Sequence, residues 1–162
     1  MVDEGDREHL RRCLDLASEA VDAGDEPFGS VLVGADGQVL YEDRNRVVTK
    51  DPTYHPEIAL VWWAVANLSV EQRSRTTAYT SGEHCAMCSA AHAWGGLGRV
   101  VYASSGEQLA AWFEQWGLPP SPLAPLSITD VAPGTPVEGP VEDLADQVRE
   151  LHRRAHNLAA GS

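Results

Sequence analysis

Four residues of this chain have the types and spacing of a hydrolytic metal site: His55, Glu57, Cys85 and Cys88. Histidine nitrogen and cysteine sulfur are zinc donors. Cys85 and Cys88 are three positions apart, so on a helical turn both sulfurs face one way. At the start of a helix, free amides and the dipole favour the thiolate that binds metal. Pro56 suits the first position of a helix and pushes His55 to extended backbone. Inside a helix, positions i and i+2 diverge; with His55 before the helix and Glu57 in its first turn, both side chains reach one pocket. The expected structure is two helix N-termini meeting over one metal. Three protein ligands leave a tetrahedral position open, as in a catalytic zinc site. Water there would have its pKa lowered toward about 7, and Glu57 could carry its proton to a leaving nitrogen.

The triplet His55-Pro56-Glu57, followed by His84-Cys85-Ala86-Met87-Cys88, resembles the H-x-E…P-C-x-x-C signature of the zinc nucleobase deaminases, the cytidine deaminase superfamily. One residue departs from it: His84 stands where the family usually has proline. We read His84 as a substitution that leaves the metal site intact, on the wrong side of the turn to be a fourth ligand. The resemblance covers about Pro27 to Ala103. It implies Zn2+ as cofactor and an α/β fold of three layers, a mixed sheet of about five strands with helices on both faces. It also implies a dimer or larger assembly, with a homodimer expected.

Three further positions gain a role from this resemblance. Pro27-Phe28-Gly29-Ser30-Val31-Leu32-Val33 is similar to the first-strand motif of guanine deaminases, in which the phenylalanine lines the base pocket; Phe28 also suits a core position at a strand start. Asn45 matches the asparagine that hydrogen-bonds the substrate base, although a lone asparagine at a strand end also serves turns. Trp94, six residues after Cys88, sits where guanine deaminases carry a pocket tryptophan; helical spacing alone makes it a core aromatic. Guanine deaminases also read the 2-amino edge of the purine with acidic residues from the C-terminal part. Glu114, Glu142 and Asp143 are unassigned candidates for that task.

The elements that must position these groups are legible from periodicity. Asp6 to Ala23 reads as an amphipathic helix through Leu10, Cys13 or Leu14, Ala17, and Ala20 or Val21, with Cys13 a small buried hydrophobe. Gly29 to Val33 is a short buried strand. Ala35-Asp36-Gly37 turns the chain, and Gln38 to Val47 returns as its partner. Ile58 to Leu68 is apolar on nearly all sides and therefore buried. One face carries the metal site and another packs on the sheet, so Trp62 or Trp63 is expected to face a second subunit. Thr77 to Ser81 is the strand delivering Cys85, and Cys85 to Gly95 the second metal-bearing helix. A strand follows at Arg99 to Ala103 and a helix at Gln108 to Trp116, whose tryptophans pack rather than form a lid. The proline-rich stretch from Gly117 to Pro140 holds an expected edge strand at Ser127-Ile128-Thr129. Val141 to Ala160 closes as an amphipathic helix, with His152 and His156 on a solvated face beside Arg153 and Arg154.

Composition bounds the function. With 162 residues, 43% hydrophobic and 22% charged, the chain reads as one domain, 1–162, able to bury a core unaided. Three cysteines, two in one C-x-x-C, argue against a disulfide framework. No cationic leader and no apolar run of spanning length is present, so no membrane partner and a cytoplasmic location are expected. The net charge of -12, from 12 basic against 24 acidic residues, argues against a nucleic-acid partner, which needs cations to displace counterions. The reading is a zinc-dependent aminohydrolase acting on a small nucleobase-like molecule. Guanine comes first, with cytosine, a nucleoside or an aminotriazine ring also open. The rivals are a tRNA or nucleic-acid adenosine deaminase using the same site, and a structural or inactive zinc module.

Overall fold

A computed structural model describes residues 1–159. Helix α1 (Glu4–Asp22) begins with reciprocal capping: Asp6 N–H donates to the Asp3 carboxylate at 2.9 Å and Asp3 N–H to the Asp6 carboxylate at 3.0 Å, satisfying two otherwise orphaned donors. Strands β1 (Gly29–Val33) and β2 (Val39–Arg44) form an antiparallel hairpin. Helix α2 (Pro56–Asn67) and the short α3 (Val70–Ser74) lead to β3 (Thr77–Gly82), which pairs antiparallel with β1. Helix α4 (Ala86–Gly95) crosses over to β4 (Arg99–Ser104), parallel to β3. Then come α5 (Gly106–Gln115), α6 (Ile128–Val131), β5 (Val137–Glu138) and α7 (Glu142–Ala155). The five strands stand in the order β2-β1-β3-β4-β5.

Side-chain alternation along the strands builds the two outer layers. Val31, Val33, Tyr79 and Val101 face α1 and α7, meeting Leu10, Cys13 and Ala17 of one and Leu144, Val148 and Leu151 of the other. Leu32 and Ala78 face the opposite side and pack on Leu60, Val61 and Ala64 of α2, which in turn lies against α4. Each large apolar side chain so buried stabilises the fold by about 1.5–3 kcal/mol. Gly29 permits the closest approach of α1: a β-carbon there would fall 2.4 Å from the Cys13 carbonyl oxygen. The expected mixed five-stranded sheet between helical layers is the architecture found.

Several local expectations are corrected. Ser127-Ile128-Thr129 is not a strand. Ser127 caps α6, accepting from Asp130 N–H while Asp130 accepts from Ser127 N–H. The edge strand is instead Val137–Glu138, pairing in parallel with Val100 and Val101. The return strand ends at Arg44, short of Val47. Helix α7 ends at Ala155, and Asn157 follows with φ 53, a left-handed residue of the kind that stops helices; Ala160, the expected end, lies outside the described residues. Of the two tryptophans offered for the outer face, Trp63 is partly buried and stacks on Tyr41, with centroids 5.5 Å apart. Trp62 is the half-exposed one of the pair.

Candidate metal centre

His55 is the residue before helix α2, with φ -85 and ψ 144, and Pro56 takes the first helical position. The loop leading to it is held by Asp25, whose buried carboxylate accepts from Val48 N–H, from Thr49 N–H and hydroxyl, and from Arg44 Nη1. Burial alone would raise this carboxyl, but these bonds outweigh it and its pKa is lowered. Cys85 is the N-cap of α4 in extended conformation, and Cys88 lies in that helix's first turn. The two helix starts meet as the spacing requires.

His55 Nδ1 stands 3.7 Å from both Cys85 Sγ and Cys88 Sγ, and all three donor atoms lie within 4.8 Å of one another. Zinc bond lengths to nitrogen and sulfur give a tetrahedral N···S edge of about 3.6 Å, so the triangle has the size of a zinc site. Glu57 is buried at 5% exposure, and Cys88 Sγ lies 3.9 Å from its Oε2. Burial raises the Glu57 carboxyl to about 7, a value from which it can both take and return protons near neutrality. The neighbouring Cys88 thiol, foremost, lowers the pKa of Cys85 to about 4. Cys85 beside it and burial push Cys88 up, and the hydrogen bond with Cys85 raises His55 to about 8. Two sulfurs and an imidazole that compete for protons in this way are a donor set suited to a divalent cation.

His84 does not join the cluster. It is buried edge-on to His92, with centroids 5.3 Å apart, and among the described residues neither of its nitrogens has a partner. Asn45 is 1% exposed. Its Oδ1 accepts from Val47 N–H at 3.0 Å and Glu26 N–H at 3.3 Å, while its Nδ2 has no partner among the described residues. The side-chain amide is thus oriented with its donor group free. Phe28 lies over Gly82, where a β-carbon would come within 3.0 Å of Cε1, so its ring is near the metal turn. Trp94 does not join this group: its side chain is 91% exposed and encloses nothing in the described protomer. An open, polar cavity of about 400 Å³ at the other end of the sheet, lined by Asp6, His9, Arg75 and Tyr79, shares no residue with the site.

His152 corrects another expectation. It is not on a solvated face but 2% exposed, edge-on to Phe28 at 5.1 Å and to Phe113 at 5.9 Å. The signal was available, since His152 continues the stripe Leu144, Val148 at intervals of four, but the flanking arginines obscured it. Asp25, which holds the loop leading to His55, carried no sequence signal at all.

The sheet order, paired helix starts and Cys-Cys-His triangle define a zinc-binding deaminase architecture. Residues 3–104 match the profile of the cytidine and deoxycytidylate deaminase zinc-binding region, and the chain belongs to that family. It is 34% identical over 108 residues to a probable cytosine deaminase of Schizosaccharomyces pombe, covering 67% of this chain and 65% of that one. It is 40% identical over 97 residues to a guanine deaminase of Bacillus subtilis, covering 59% and 62%. A tRNA-specific adenosine deaminase of Haemophilus influenzae is 32% identical over 103 residues, covering 63% and 60%. The match thus spans just under two thirds of each of these relatives. Among solved structures, a guanine deaminase from Nitrosomonas europaea superposes with a TM-score of 0.75 at 20% identity, covering 97% of this chain and 86% of that one, which establishes the shared fold. No helix among the described residues is long and apolar enough to cross a membrane.

Proposed function

We propose that this chain, acting as one unit, is a zinc-dependent hydrolytic deaminase of a free amino-substituted nucleobase or related heterocycle, with a guanine-like ring as first choice. The observation that carries the reading is the His55, Cys85 and Cys88 triangle with the buried Glu57 carboxylate 3.9 Å from Cys88 Sγ. His55 Nδ1 and the two sulfurs would hold zinc, which when bound supplies the Lewis acidity that makes water nucleophilic at neutral pH. Glu57 takes a proton from the attacking water and delivers it to the departing amine nitrogen. Asn45 presents its free Nδ2 donor to an acceptor on the ring, its Oδ1 being engaged by backbone. Phe28 borders the ring from its place over Gly82.

Guanine is favoured by the named activity of the 40%-identical relative. A tRNA substrate is the alternative, from the relatives so named. The surface speaks against it: the net charge is -12, and Arg44, Arg46 and Arg99 are already paired with Asp25, Asp43 and Asp6. Half-exposed Trp62 and Val65 on α2, with exposed Trp94 on α4, support a homodimer through this layer. The cytoplasm is the compartment we propose. The test is ammonia release by zinc-loaded protein from guanine, cytosine, adenine, their nucleosides, an aminotriazine and a tRNA anticodon stem-loop. Turnover of a free base is expected; activity on the stem-loop alone would replace this reading with the tRNA one. Glu57→Gln should retain zinc and lose turnover by about 100-fold or more; full activity in that variant would remove Glu57 from the mechanism.

A further inference from the structure

We propose that Glu83 is a positioning residue for the metal centre, fixing the turn that carries Cys85 through two helices of the C-terminal third of the chain. Glu83 lies between Gly82, the last residue of β3, and the ligand Cys85. Its backbone N–H donates to the Ser104 carbonyl at 2.8 Å, extending the β3–β4 ladder. Its side chain reaches further. Oε2 accepts from Gly106 N–H at 2.9 Å, and Oε1 accepts from Ile128 N–H at 3.1 Å. These are the first residues of α5 and α6.

In both helices the serine cap serves the third amide, and the third side chain serves the amide of the serine. The first helical amide has no acceptor within its own helix. One carboxylate supplies that acceptor twice, with the extra strength of a charged partner. Ile128 is fully buried with Val100 and Tyr102, so the far side of the bridge is firmly anchored. Cys88 belongs to the body of α4, whereas Cys85 belongs to the turn. Loosening the turn therefore disturbs the Cys85 corner of the donor triangle and leaves the other two in place. This inference rests on the reading of His55, Cys85 and Cys88 as a zinc site.

The experiment uses the full-length protein and two readouts: zinc affinity by competition with a chromogenic chelator, and the visible spectrum of the cobalt(II)-substituted form. Glu83→Ala should weaken zinc binding by about 10- to 100-fold and lower the intensity of the cobalt bands. Glu83→Gln should fall between, since its carbonyl can accept one N–H while its NH2 opposes the other. Gly106→Pro removes one donor at a position where proline is tolerated, and it should add nothing when combined with Glu83→Ala. If Glu83→Ala does not fold, Glu83→Gln and Gly106→Pro carry the same test. Unchanged affinity and spectrum, even with a lowered melting temperature, would overturn the proposal and leave Glu83 a structural residue. Wild-type protein that binds no zinc would instead sink the metal reading, and this inference with it.

Discussion

At the scale of single residues, the donor cluster was readable because a metal-binding set restricts both residue type and spacing. His55, Glu57, Cys85 and Cys88 converge as their sequence positions require. The burial of His152 was signalled only by the Leu144, Val148 stripe, which its flanking arginines obscure, and the fold sets it against Phe28 and Phe113. Its consequence is a pH dependence. Burial lowers His152 to about 3 from the ordinary 6.5, so the unfolded chain takes up a proton there before the folded one does. The contribution to stability is complete above about pH 6.5 and is lost as pH falls toward 3, at up to about 1.4 kcal/mol per pH unit. Neither ring nitrogen has a partner among the described residues, and an unsatisfied buried group costs about 1–3 kcal/mol. His152→Phe should therefore keep or raise the denaturant midpoint at pH 7 and flatten the decline between pH 6 and 4. A midpoint that drops at pH 7 with the same pH slope would show that the imidazole is satisfied in the fold.

At the scale of elements, long periodic segments were legible and short ones were not. The first helix, the central strands and the helices that start at Pro56 and Ala86 fall within a few residues of expectation. Strand β5 has only two residues, too few to show alternation. Ile128 and Thr129 invited a strand reading through their β-branched side chains, but Ser127 and Asp130 form a capping box across them, and capping won. The junction of α1 with the sheet gives a prediction at this scale. Asp6 accepts two bonds from Arg99, at 2.8 and 2.9 Å, and one from Tyr79 hydroxyl at 2.8 Å. The Arg99 hydrogen bonds, foremost, hold its carboxyl at about 2, below the ordinary 3.8. A depressed carboxyl stabilises the fold above its unfolded value, and that stabilisation disappears as pH falls from about 4 through 2. Asp6→Asn should cost about 2 kcal/mol at pH 7 and lose less stability than wild type across that acid window. Equal costs at pH 7 and pH 2 in urea titrations would remove the ion pair from the account.

At the scale of the whole molecule, the fold and the family followed from a few residues, but the enclosure of the site did not. The family resemblance places Trp94 at the pocket, yet the helix carrying it turns that position to solvent in the single protomer. Phe28, by contrast, enters from the strand side and meets the C-terminal helix through His152. Elements from both ends of the chain thus converge at one end of the sheet. Which side chains gather there is a property of this convergence, and no local pattern encodes it.

The antiparallel register of β1 with β3 sets Val33 opposite Thr77, so the hairpin turn at Ala35 to Gly37 sits at the pole of the sheet remote from Cys85. That pole is a permissive attachment point. Gly37 already tolerates an open, left-handed bend with nothing crowding it, and exposed turn tips accept inserted sequence best. A short epitope or a fluorescent reporter spliced between Ala35 and Gly37 should leave metal content and melting temperature unchanged. The same cargo placed between Gly82 and Cys85 should abolish both metal retention and cooperative melting.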